Sequence, residues 1–270
     1  MFNITRRRFI RGTFAATLAA TAGVTAAAYG TDTHQIDCPR IPISLGLNRP
    51  HRVVALGDIH FDPLFQEVYM DRVSRTINAL RPDLILYTGD FVTHDADFAP
   101  RLVPFLSRSQ SRLGSFAVLG NHDTWTNAPV VTRALEKGGI RVLTNRSFKI
   151  PDEDEFYVSG LDSFWGGRPD PTILQRTPKY SRHILLVHEP DSFLQVDDAR
   201  VRLQISGHTH GGQVRMPWIG ALILPIWGEH FDAGLFTQQK RQLYVNRGIG
   251  TLRPHLRFDC PPEITVFEIT

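Results

Sequence analysis

The first half of the chain alternates short apolar runs with segments whose apolar residues recur at helical spacing. Three apolar runs end in polar residues: "RVVALGD" (52–58), "PDLILYTGD" (82–90) and "GSFAVLGNHD" (114–123). Apolar residues three or four positions apart predict helices over 65–80, 98–110 and 129–139. The order strand, helix, strand, helix is typical of a mostly parallel sheet covered by helices.

The second half is richer in strands. Its apolar runs are "FYVSGLD" (156–162), "HILLVHEP" (183–190), "VRLQISGHTH" (201–210), "QLYVNRG" (242–248) and "EITVFEI" (263–269). We therefore predict an α/β protein in which two sheets pack face to face as a β-sandwich, with helices outside.

Composition and charge describe an ordinary globular protein with an unusual N-terminus. Of the 270 residues, 42% are hydrophobic and 21% charged. Residues 1–28 contain four arginines and no acidic residue, whereas the rest of the chain has a net charge of −1. Because the excess of positive charge is confined to this segment, binding to nucleic acid is not expected.

The N-terminal segment has the pattern of an export signal. "TRRRFIRG" (5–12) precedes a modest run rich in alanine and threonine, and "AAA" (26–28) offers a cleavage site. The twin arginine resembles a Tat signal, which implies recognition by the Tat translocase and export of the folded protein to the periplasm or cell envelope. Retention as a membrane anchor and an amphipathic helix of the folded domain are the alternatives. We divide the chain into a signal (1–28), a proline-containing linker (29–50) and one domain (51–270).

The chain has two cysteines, Cys38 and Cys260. An exported location permits a disulfide between them. Two unpaired thiols are the alternative, and the sequence leaves both open.

The polar residues that end the strands form a set of carboxylates, imidazoles and an amide. They are Asp58 and His60 in "GDIH", Asp90 in "GD", Asn121, His122 and Asp123 in "GNHD", His188 in "VHEP", and His208 and His210 in "GHTH". Ligands of such sheets bind beyond the carboxyl ends of the strands, so these residues are expected to share one rim. The set contains no thiolate and suits Mn, Fe or Zn.

This set is larger than one metal ion needs, and it fits a pair of ions bridged by a carboxylate. Two ions roughly 3.5–4 Å apart generate hydroxide near neutral pH and stabilise both oxygens of an in-line displacement at phosphorus. Gly207, Gly211 and Gly212 surround His208 and His210, and they leave room for the ions and for substrate.

In this order, the five motifs resemble the calcineurin-like metallophosphoesterases. Roughly thirty residues separate each of the first three motifs, as in that family. Any one motif would be weak evidence, but five in order are specific, and the resemblance covers residues 52–269. It implies the four-layer α/β/β/α metallophosphoesterase fold and a metal-dependent phosphoric ester hydrolase, most simply a phosphodiesterase.

The resemblance assigns seven ligands to two divalent metal ions. Matched motif by motif, they are Asp58, His60 and His210 for the first ion, Asp90 as the bridge, and Asn121, His188 and His208 for the second. It also implies that His122 stays off the ions and protonates the leaving oxygen or stabilises charge on the phosphoryl group. The implied nucleophile is a hydroxide that bridges the two ions.

One departure from the family bears on the substrate. Phosphoprotein phosphatases of the family extend the second motif to "GDxxDR", whereas this chain has "GDFVTHD" with Thr93 and His94 at those two positions. The Asp that supports the catalytic histidine is therefore missing there, and Asp95 or Asp123 is a possible replacement. The phosphate-binding Arg is missing as well, which favours a diesterase or a small-molecule esterase.

Within the family, the chain is similar to Tat-exported bacterial phosphodiesterases. The similarity rests on "TRRRFIRG", "GHTHGGQVRMP" and the tail "YVNRGIGTLRPHLRFDCPPEIT". The positions that recur in that branch are Gln213, Arg215, Arg247, Gly248 and Gly250. We expect Arg215 or Arg247 to structure the rim of the site, and a structural role for Cys260.

The segment "MPWIGALILPIW" (216–227) bears on the choice of substrate. It is either a buried hairpin or an exposed patch that contacts lipid at the membrane surface. A small phosphodiester is the main hypothesis, and a lipid-linked phosphate, such as an envelope nucleotide–sugar–lipid cleaved by a pyrophosphatase, is the alternative. A metal-binding module without turnover and a structural protein without metal are the hypotheses outside enzymes.

The remaining aromatic and imidazole side chains are less informative. Trp125 and Trp165 follow polar loops, and they either line a substrate pocket or belong to the core. The other histidines are expected to lie at the surface or in the core without a role at the site: His34, His51, His183, His230 and His255.

Overall fold

The computed structural model describes residues 35–63, 66–151 and 153–270; the predicted signal and His34 lie outside these ranges. The strands in the described residues are β1 (Arg40–Ile43), β2 (His51–Leu56), β3 (Leu84–Tyr87), β4 (Gly114–Ala117), β5 (Ile140–Val142), β6 (Arg146–Lys149), β7 (Phe156–Gly160), β8 (Arg182–Leu186), β9 (Val201–Ser206), β10 (Arg215–Met216), β11 (Gly220–Ala221), β12 (Gly234–Gln238), β13 (Arg241–Val245) and β14 (Thr265–Ile269). The α-helices are α1 (Glu67–Leu80), α2 (Ala99–Leu106) and α3 (Asn121–Lys137).

Two six-stranded sheets organise the domain. The first has the order β1-β14-β2-β3-β4-β5, and the second has the order β12-β13-β9-β8-β7-β6. Strands β2 to β5 are parallel, as are β7, β8, β9 and β13, while β14 pairs antiparallel with β2. The parallel strands therefore deliver their carboxyl ends to one edge of each sheet, which is where ligand sites form.

The burial of the strands in the core explains why their sequences are continuous apolar runs. Strand β3 has the sequence LILY and is buried along its whole length, as expected for a parallel strand covered on both faces. One face of the first sheet packs against the helices, through residues such as Ile85 and Met70. Its other face packs against the second sheet, where Leu84 and Phe116 share a cluster with Ile184.

The predicted sandwich of two sheets flanked by helices is confirmed. On the first sheet the flanking layer consists of α1, α2 and α3. On the outer face of the second sheet, the helices that the structure describes are short 3-10 helices, Pro171–Arg176 and Pro190–Leu194. Ile173 and Leu174 of the former pack against Leu185 and Val187. None of the described helices is long and apolar enough to cross a membrane.

The linker prediction for 29–50 requires a correction at β1. Strand β1 pairs in parallel with β14, with Ile41 opposite Phe267, and it forms the edge of the first sheet. The sequence analysis missed this strand because it contains Pro42. Proline in sheets is confined mainly to edge strands. The folded domain therefore includes residues that precede the predicted boundary at 51.

The third helix also differs from its prediction. Helix α3 begins at Asn121, not near 129, and its backbone departs from helical geometry at Asn127, two residues before Pro129. Proline inside a helical segment produces such a break, so the sequence pattern revealed only the part beyond it. Asp123 accepts a hydrogen bond from the Gly120 amide at 3.0 Å and so caps the helix start. The motif "GNHD" thus occupies the N-terminus of α3.

Candidate metal centre

The predicted ligands meet at one rim and come from both sheets. From the first sheet, the segments after β2 and β3 and the start of α3 provide Asp58, His60, Asp90 and Asn121. From the second sheet, the segments after β8 and β9 provide His188, His208 and His210. All seven side chains are buried. The two sheets must therefore pack in their native register before the set can assemble.

Potential ligand atoms form three overlapping groups, within each of which all atoms lie within 4.8 Å of one another. The groups are Asp58, His60 and His210; His60, Asp90 and His122; and Asp90, His188 and His208. Asp90 is shared by two of them. Its Oδ2 lies 3.5 Å from His60 Nε2 and 3.2 Å from His188 Nε2. Asp90 therefore lies next to one predicted ligand of each ion, His60 and His188.

Two of the histidines have their outer nitrogen fixed by a backbone carbonyl. His188 Nδ1 donates to Thr88 O at 2.7 Å, and His208 Nε2 donates to Ile226 O at 2.8 Å. A carbonyl only accepts, so these bonds set the tautomers and leave His188 Nε2 and His208 Nδ1 free to bind a cation. Metal-ligating histidines are usually oriented by such a second hydrogen bond.

The remaining polar atoms also fit a cation. His60 Nε2 and His210 Nε2 face each other at 3.0 Å, close to Asp58 and Asp90 carboxylate oxygens. Asn121 Oδ1 is buried and, among the described residues, has no hydrogen-bond partner. Unsatisfied buried acceptors are costly, and hard divalent ions favour these nitrogen and oxygen donors. The residues therefore fit the pair of divalent ions that the ligand set implies.

Burial controls the protonation of the cluster. It lowers the pKa of His60 to about 3 and that of His208 to about 4, which keeps both imidazoles in the neutral form that binds metals. Burial also raises the pKa of the Asp58 carboxyl to about 7. For His188, burial acts in the same lowering direction, but the Asp90 carboxylate outweighs it and raises the pKa. A cation at this position would displace that proton.

The backbone at the site is strained. Five of the seven predicted ligands have positive φ angles, between 47° and 74°: Asp58, His60, Asp90, His208 and His210. This left-handed region is uncommon for residues other than glycine. Such conformations persist only where the surrounding structure enforces them, and they cluster at functional sites. They direct the side chains toward the rim immediately after the strands end.

Two glycines allow the loops to approach the carboxylates. A Cβ at Gly120 would lie 2.1 Å from Asp90 Oδ1, and a Cβ at Gly207 would lie 2.2 Å from Asp58 Oδ2. Any side chain at either position would displace a predicted ligand. The glycines of "GNHD" and "GHTH" are therefore required by close packing against the carboxylates of the neighbouring motifs.

His122 lies beside the cluster and is partly exposed. Its Nδ1 donates to the backbone carbonyl of Thr93 at 3.0 Å, while its backbone amide donates to Asp90 Oδ1 at 2.9 Å. The bond to Thr93 leaves Nε2 as the nitrogen available to a substrate.

The suggestion that Asp95 or Asp123 supports His122 is wrong. Asp95 caps the 3-10 helix Ala96–Phe98 by accepting from the Asp97 amide. Asp123 accepts from the amides of Phe91 and Val92, and so fixes the segment that follows Asp90. A main-chain carbonyl supports His122 instead, and a residue-type pattern cannot reveal it.

Trp125 and Trp165 border the site. Their rings are 4.7 Å apart; Trp125 lies 5.2 Å from the His122 ring, and Trp165 lies 5.6 Å from the His208 ring. Their exposed fractions are 50% and 37%. They therefore form an accessible aromatic wall beside the ligands, which favours the pocket-lining interpretation over the core.

Two residues that support the site were missed in the sequence. Glu189 is buried and accepts hydrogen bonds from the Ser163 hydroxyl and the Phe164 amide, which fixes the loop that carries Trp165. Its only signal is its position directly after His188. Arg257 is also buried, and donates to the carbonyls of Gly250 and Arg247 at 2.6 and 2.9 Å. Nothing in the sequence separates it from the other arginines of the tail.

The arginines expected to structure the rim have that geometry. Arg215 donates to Gly211 O at 2.9 Å and pairs with Asp232 at 2.8 Å. Arg247 pairs with Asp37 and with Glu263 at 2.6 and 2.5 Å. The turn that follows Arg247 packs on the first motif, where the Gly250 amide donates to Asp58 O at 2.8 Å.

The other described histidines lie outside the cluster. His51 and His183 are buried and bonded to Glu153 and Ser159, respectively. His230 and His255 are exposed.

Cys38 and Cys260 are both free thiols in the structure. The Cys260 thiol is buried and donates to His210 O at 3.2 Å, consistent with a structural role.

Comparison with known proteins agrees with this geometry. Residues 51–212 match the model of the calcineurin-like phosphoesterase family. The uncharacterised metallophosphoesterase YkuE of Bacillus subtilis is 34% identical, covering 100% of this chain and 99% of that protein. Phosphodiesterase YaeI of Escherichia coli is 31% identical, covering 98% and 99%. The UDP-2,3-diacylglucosamine pyrophosphatase LpxG of Chlamydia muridarum is 26% identical, covering 80% and 83%. The chain therefore belongs to the calcineurin-like phosphoesterase family and is a metal-dependent phosphoester hydrolase.

Proposed function

We propose that the protein is a phosphodiesterase that uses two divalent metal ions, Mn, Fe or Zn, held at the rim shared by the two sheets. The observation that carries this proposal is the position of Asp90 between His60 and His188, one predicted ligand of each ion, with His122 beside it. Phosphodiesterase YaeI, similar over almost the whole chain, supports the same activity.

The roles of the residues follow from the geometry. Asp58, His60 and His210 would hold one ion, Asn121, His188 and His208 the other, and Asp90 both. Bound divalent ions supply a nucleophile from water near neutral pH and stabilise charge that develops at phosphorus. His122 keeps its Nδ1 proton on Thr93 O, so its Nε2 is the atom that donates a proton to the leaving oxygen.

The surroundings of the site favour a diester over a monoester. A monoester carries an additional negative charge, which the phosphoprotein phosphatases of this family bind with the Arg that His94 replaces here. Of the arginines near the rim, Arg215, Arg247 and Arg257 are held by carboxylates and carbonyls of the protein itself, whereas Arg253 lines the cavity beside His208 and His210. The replacement of the phosphate-binding Arg by His94 therefore favours diesters.

Comparing a diester with a monoester tests the proposal. The mature protein, reloaded with Mn²⁺, should hydrolyse bis-p-nitrophenyl phosphate faster than p-nitrophenyl phosphate. His122→Ala should lower kcat by about 10²- to 10⁴-fold, the usual contribution of a general acid, and should retain its metal. His230→Ala, which removes an exposed histidine paired with Asp191, is the matched control and should keep full activity.

Two results would contradict the proposal. Faster hydrolysis of the monoester would exclude a diesterase. No turnover of either ester, with two ions bound per chain, would support the alternative of a metal-binding module.

A second candidate is the cleavage of a lipid-linked pyrophosphate of the cell envelope. The similarity to the UDP-2,3-diacylglucosamine pyrophosphatase LpxG favours it. Hydrolysis of that lipid nucleotide in detergent micelles, at a rate above that of bis-p-nitrophenyl phosphate, would select this candidate. Inert lipid nucleotide together with an active diester assay would exclude it.

We further propose export by the Tat translocase, supported by the twin arginine at Arg6 and Arg7. Replacing both with lysine should leave the folded protein in the cytoplasmic fraction. An unchanged distribution between cytoplasm and envelope would argue against Tat export.

A further inference from the structure

A cavity of about 460 Å³ opens directly beside the candidate metal centre. His208 and His210, one predicted ligand of each ion, form part of its lining. The rest is largely apolar, with aliphatic side chains that include Val214, Leu222, Ile223 and Leu256, and it also contains Arg253. Its size falls within the range of ligand pockets, which are mostly apolar with a few polar groups that fix orientation.

The segment that contributes Leu222 and Ile223 to this cavity also carries many of the exposed apolar side chains in the described residues. Five of the eleven exposed large apolar side chains there belong to residues 218–226, which we call the apolar rim: Trp218, Ile219, Leu222, Ile223 and Ile226. Trp218 is fully exposed, and Ile223 is 80% exposed although it also lines the cavity. Residues 216–228 include no charged side chain. An exposed patch of this kind marks a surface that binds a protein, a membrane or an apolar ligand.

The apolar rim is bonded directly to the metal centre. The carbonyl of Ile226 accepts the hydrogen bond from His208 Nε2 that orients this imidazole. At the start of the hairpin formed by β10 and β11, Arg215 donates to the carbonyl of Gly211, the residue after His210. Hydrogen bonds therefore link the cavity walls to the predicted ligands, so a molecule held by the walls lies close to the candidate metal centre.

We propose that the phosphodiester substrate carries a long alkyl or acyl chain, which occupies this cavity while its phosphate lies against the metal centre. This inference rests on the proposed function and specifies its substrate as an amphipathic lipid phosphodiester. The chain enters across the apolar rim, which faces the membrane surface. Tryptophan and aliphatic side chains without charge are the usual residues at such an interface.

A lipid chain fits these observations better than a protein partner does. A protein partner would cover the apolar rim but would leave the cavity behind it unfilled. A single alkyl chain can both cover the rim and fill the cavity, because the cavity lining includes the ligands His208 and His210 as well as the exposed Ile223.

A homologous series of chromogenic diesters tests the proposal. The ethyl, butyl, hexyl and octyl esters of p-nitrophenyl phosphate share one leaving group and differ only in the alkyl chain. The full chain loaded with Mn²⁺ should show kcat/KM rising with length, by at most about fourfold per methylene group, the factor expected for complete burial. We expect the octyl ester to exceed the ethyl ester on the order of tenfold or more.

Variants place the effect at the cavity. Ile223→Asp puts a carboxylate at the mouth and should reduce the ratio of octyl to ethyl kcat/KM toward one, while Ile223→Leu should retain it. Val68→Asp is the matched control, since Val68 is 86% exposed on α1 and lies outside the cavity lining. Using the ratio within each variant removes any general effect on folding or metal loading.

Each outcome is decisive. A ratio near one for the wild type, with the ethyl ester still hydrolysed, overturns the lipid inference and leaves the phosphodiesterase proposal intact. A rising ratio that Ile223→Asp does not change also overturns it, because the chain then binds elsewhere. No hydrolysis of any ester overturns the proposed function, and the lipid inference with it.

Discussion

Two histidines five positions apart, His183 and His188, show how strongly location decides what a side chain does. His183 lies inside β8, and its nitrogens contact the hydroxyls of Ser159 and Ser181 at 2.7 and 2.9 Å. His188 lies just beyond the strand, with Nε2 at 3.2 Å from Asp90. Burial lowers the pKa of His183 to about 4, whereas the Asp90 carboxylate raises the pKa of His188 despite its burial. The first is therefore a neutral core residue and the second a candidate ligand.

The depressed pKa of His183 makes stability depend on pH. Its ordinary pKa of 6.5 applies to the unfolded chain, which therefore binds a proton before the folded protein does as the pH falls. Stability should be lost between about pH 6.5 and about pH 4, by about 3 kcal/mol in total. His183→Gln removes this contribution, so the advantage of the wild type over the variant should shrink across that range. Urea unfolding of both proteins in EDTA at pH 7.5, 6 and 5 measures it; parallel pH profiles would contradict the assignment.

The sequence identifies the residue types of the candidate site, but it does not show which of their atoms face it. The motifs "GDIH" and "GHTH" named the candidate ligands directly. Which nitrogen of each imidazole faces the site depends on main-chain carbonyls such as Thr88 O and Thr93 O. Every residue has a carbonyl, so no pattern of side chains can reveal which one accepts the bond.

At the scale of elements, the predicted ligands lie on the segments that follow the strands. Each strand ends one or more residues before its ligands, and the chain then enters the left-handed region at Asp58, Asp90 and His208. The turns bring motifs that are distant in sequence into contact, with Gly120 against Asp90 and Gly207 against Asp58. The separate motifs therefore pack directly against one another in the folded protein.

This packing predicts the effect of a single methyl group. In Gly120→Ala the added Cβ would lie 2.1 Å from Asp90 Oδ1, so the Asp90 carboxylate must move. We expect the variant to bind fewer than two metal ions per chain, measured by elemental analysis after dialysis. Gly139→Ala is the control: its φ of 82° costs some stability, but nothing lies within 4 Å of the added methyl group. Full metal content in Gly120→Ala would show that Asp90 is not a ligand or that the loop can relax.

Some strands and helices were predicted from the sequence, and others were missed. Long buried strands such as β2 and β9 were evident because parallel strands covered on both faces are continuous apolar runs. Strand β1 was missed because it is short, lies at an edge and contains Pro42. The first half of α3 was missed because the residues before Pro129 are polar and serve the site.

At the scale of the whole molecule, the candidate metal centre joins the two sheets. The first sheet contributes four of the predicted ligands and the second contributes three, and Asp90 contacts imidazoles from both. A cation here stabilises the packing of the two layers as well as the site. Any ligand that binds only the folded state adds RT ln(1 + [L]/Kd) to stability.

Removal of metal should therefore destabilise the protein. At free Mn²⁺ 100-fold above Kd, each independent site adds about 2.7 kcal/mol, which EDTA should abolish. Asp90→Asn should show most of this loss even in Mn²⁺, and EDTA should change its stability little. Thermal unfolding with Mn²⁺ and with EDTA measures both. Equal melting temperatures for the wild type in the two conditions would mean that these residues do not hold metal.

The sequence by itself determined the order of the main buried strands and helices, the two-sheet architecture and the identity of the candidate ligands, because hydrophobic periodicity and strand-end motifs are local properties. Only the tertiary structure determined how those motifs contact one another. It placed Asp90 between imidazoles from two sheets, gave His122 a main-chain partner and buried Arg257 beneath the turn that supports Asp58. It also exposed the apolar rim and opened the cavity behind it. These features depend on contacts between segments that are distant in sequence, or on backbone atoms common to every residue, and so no local pattern encodes them.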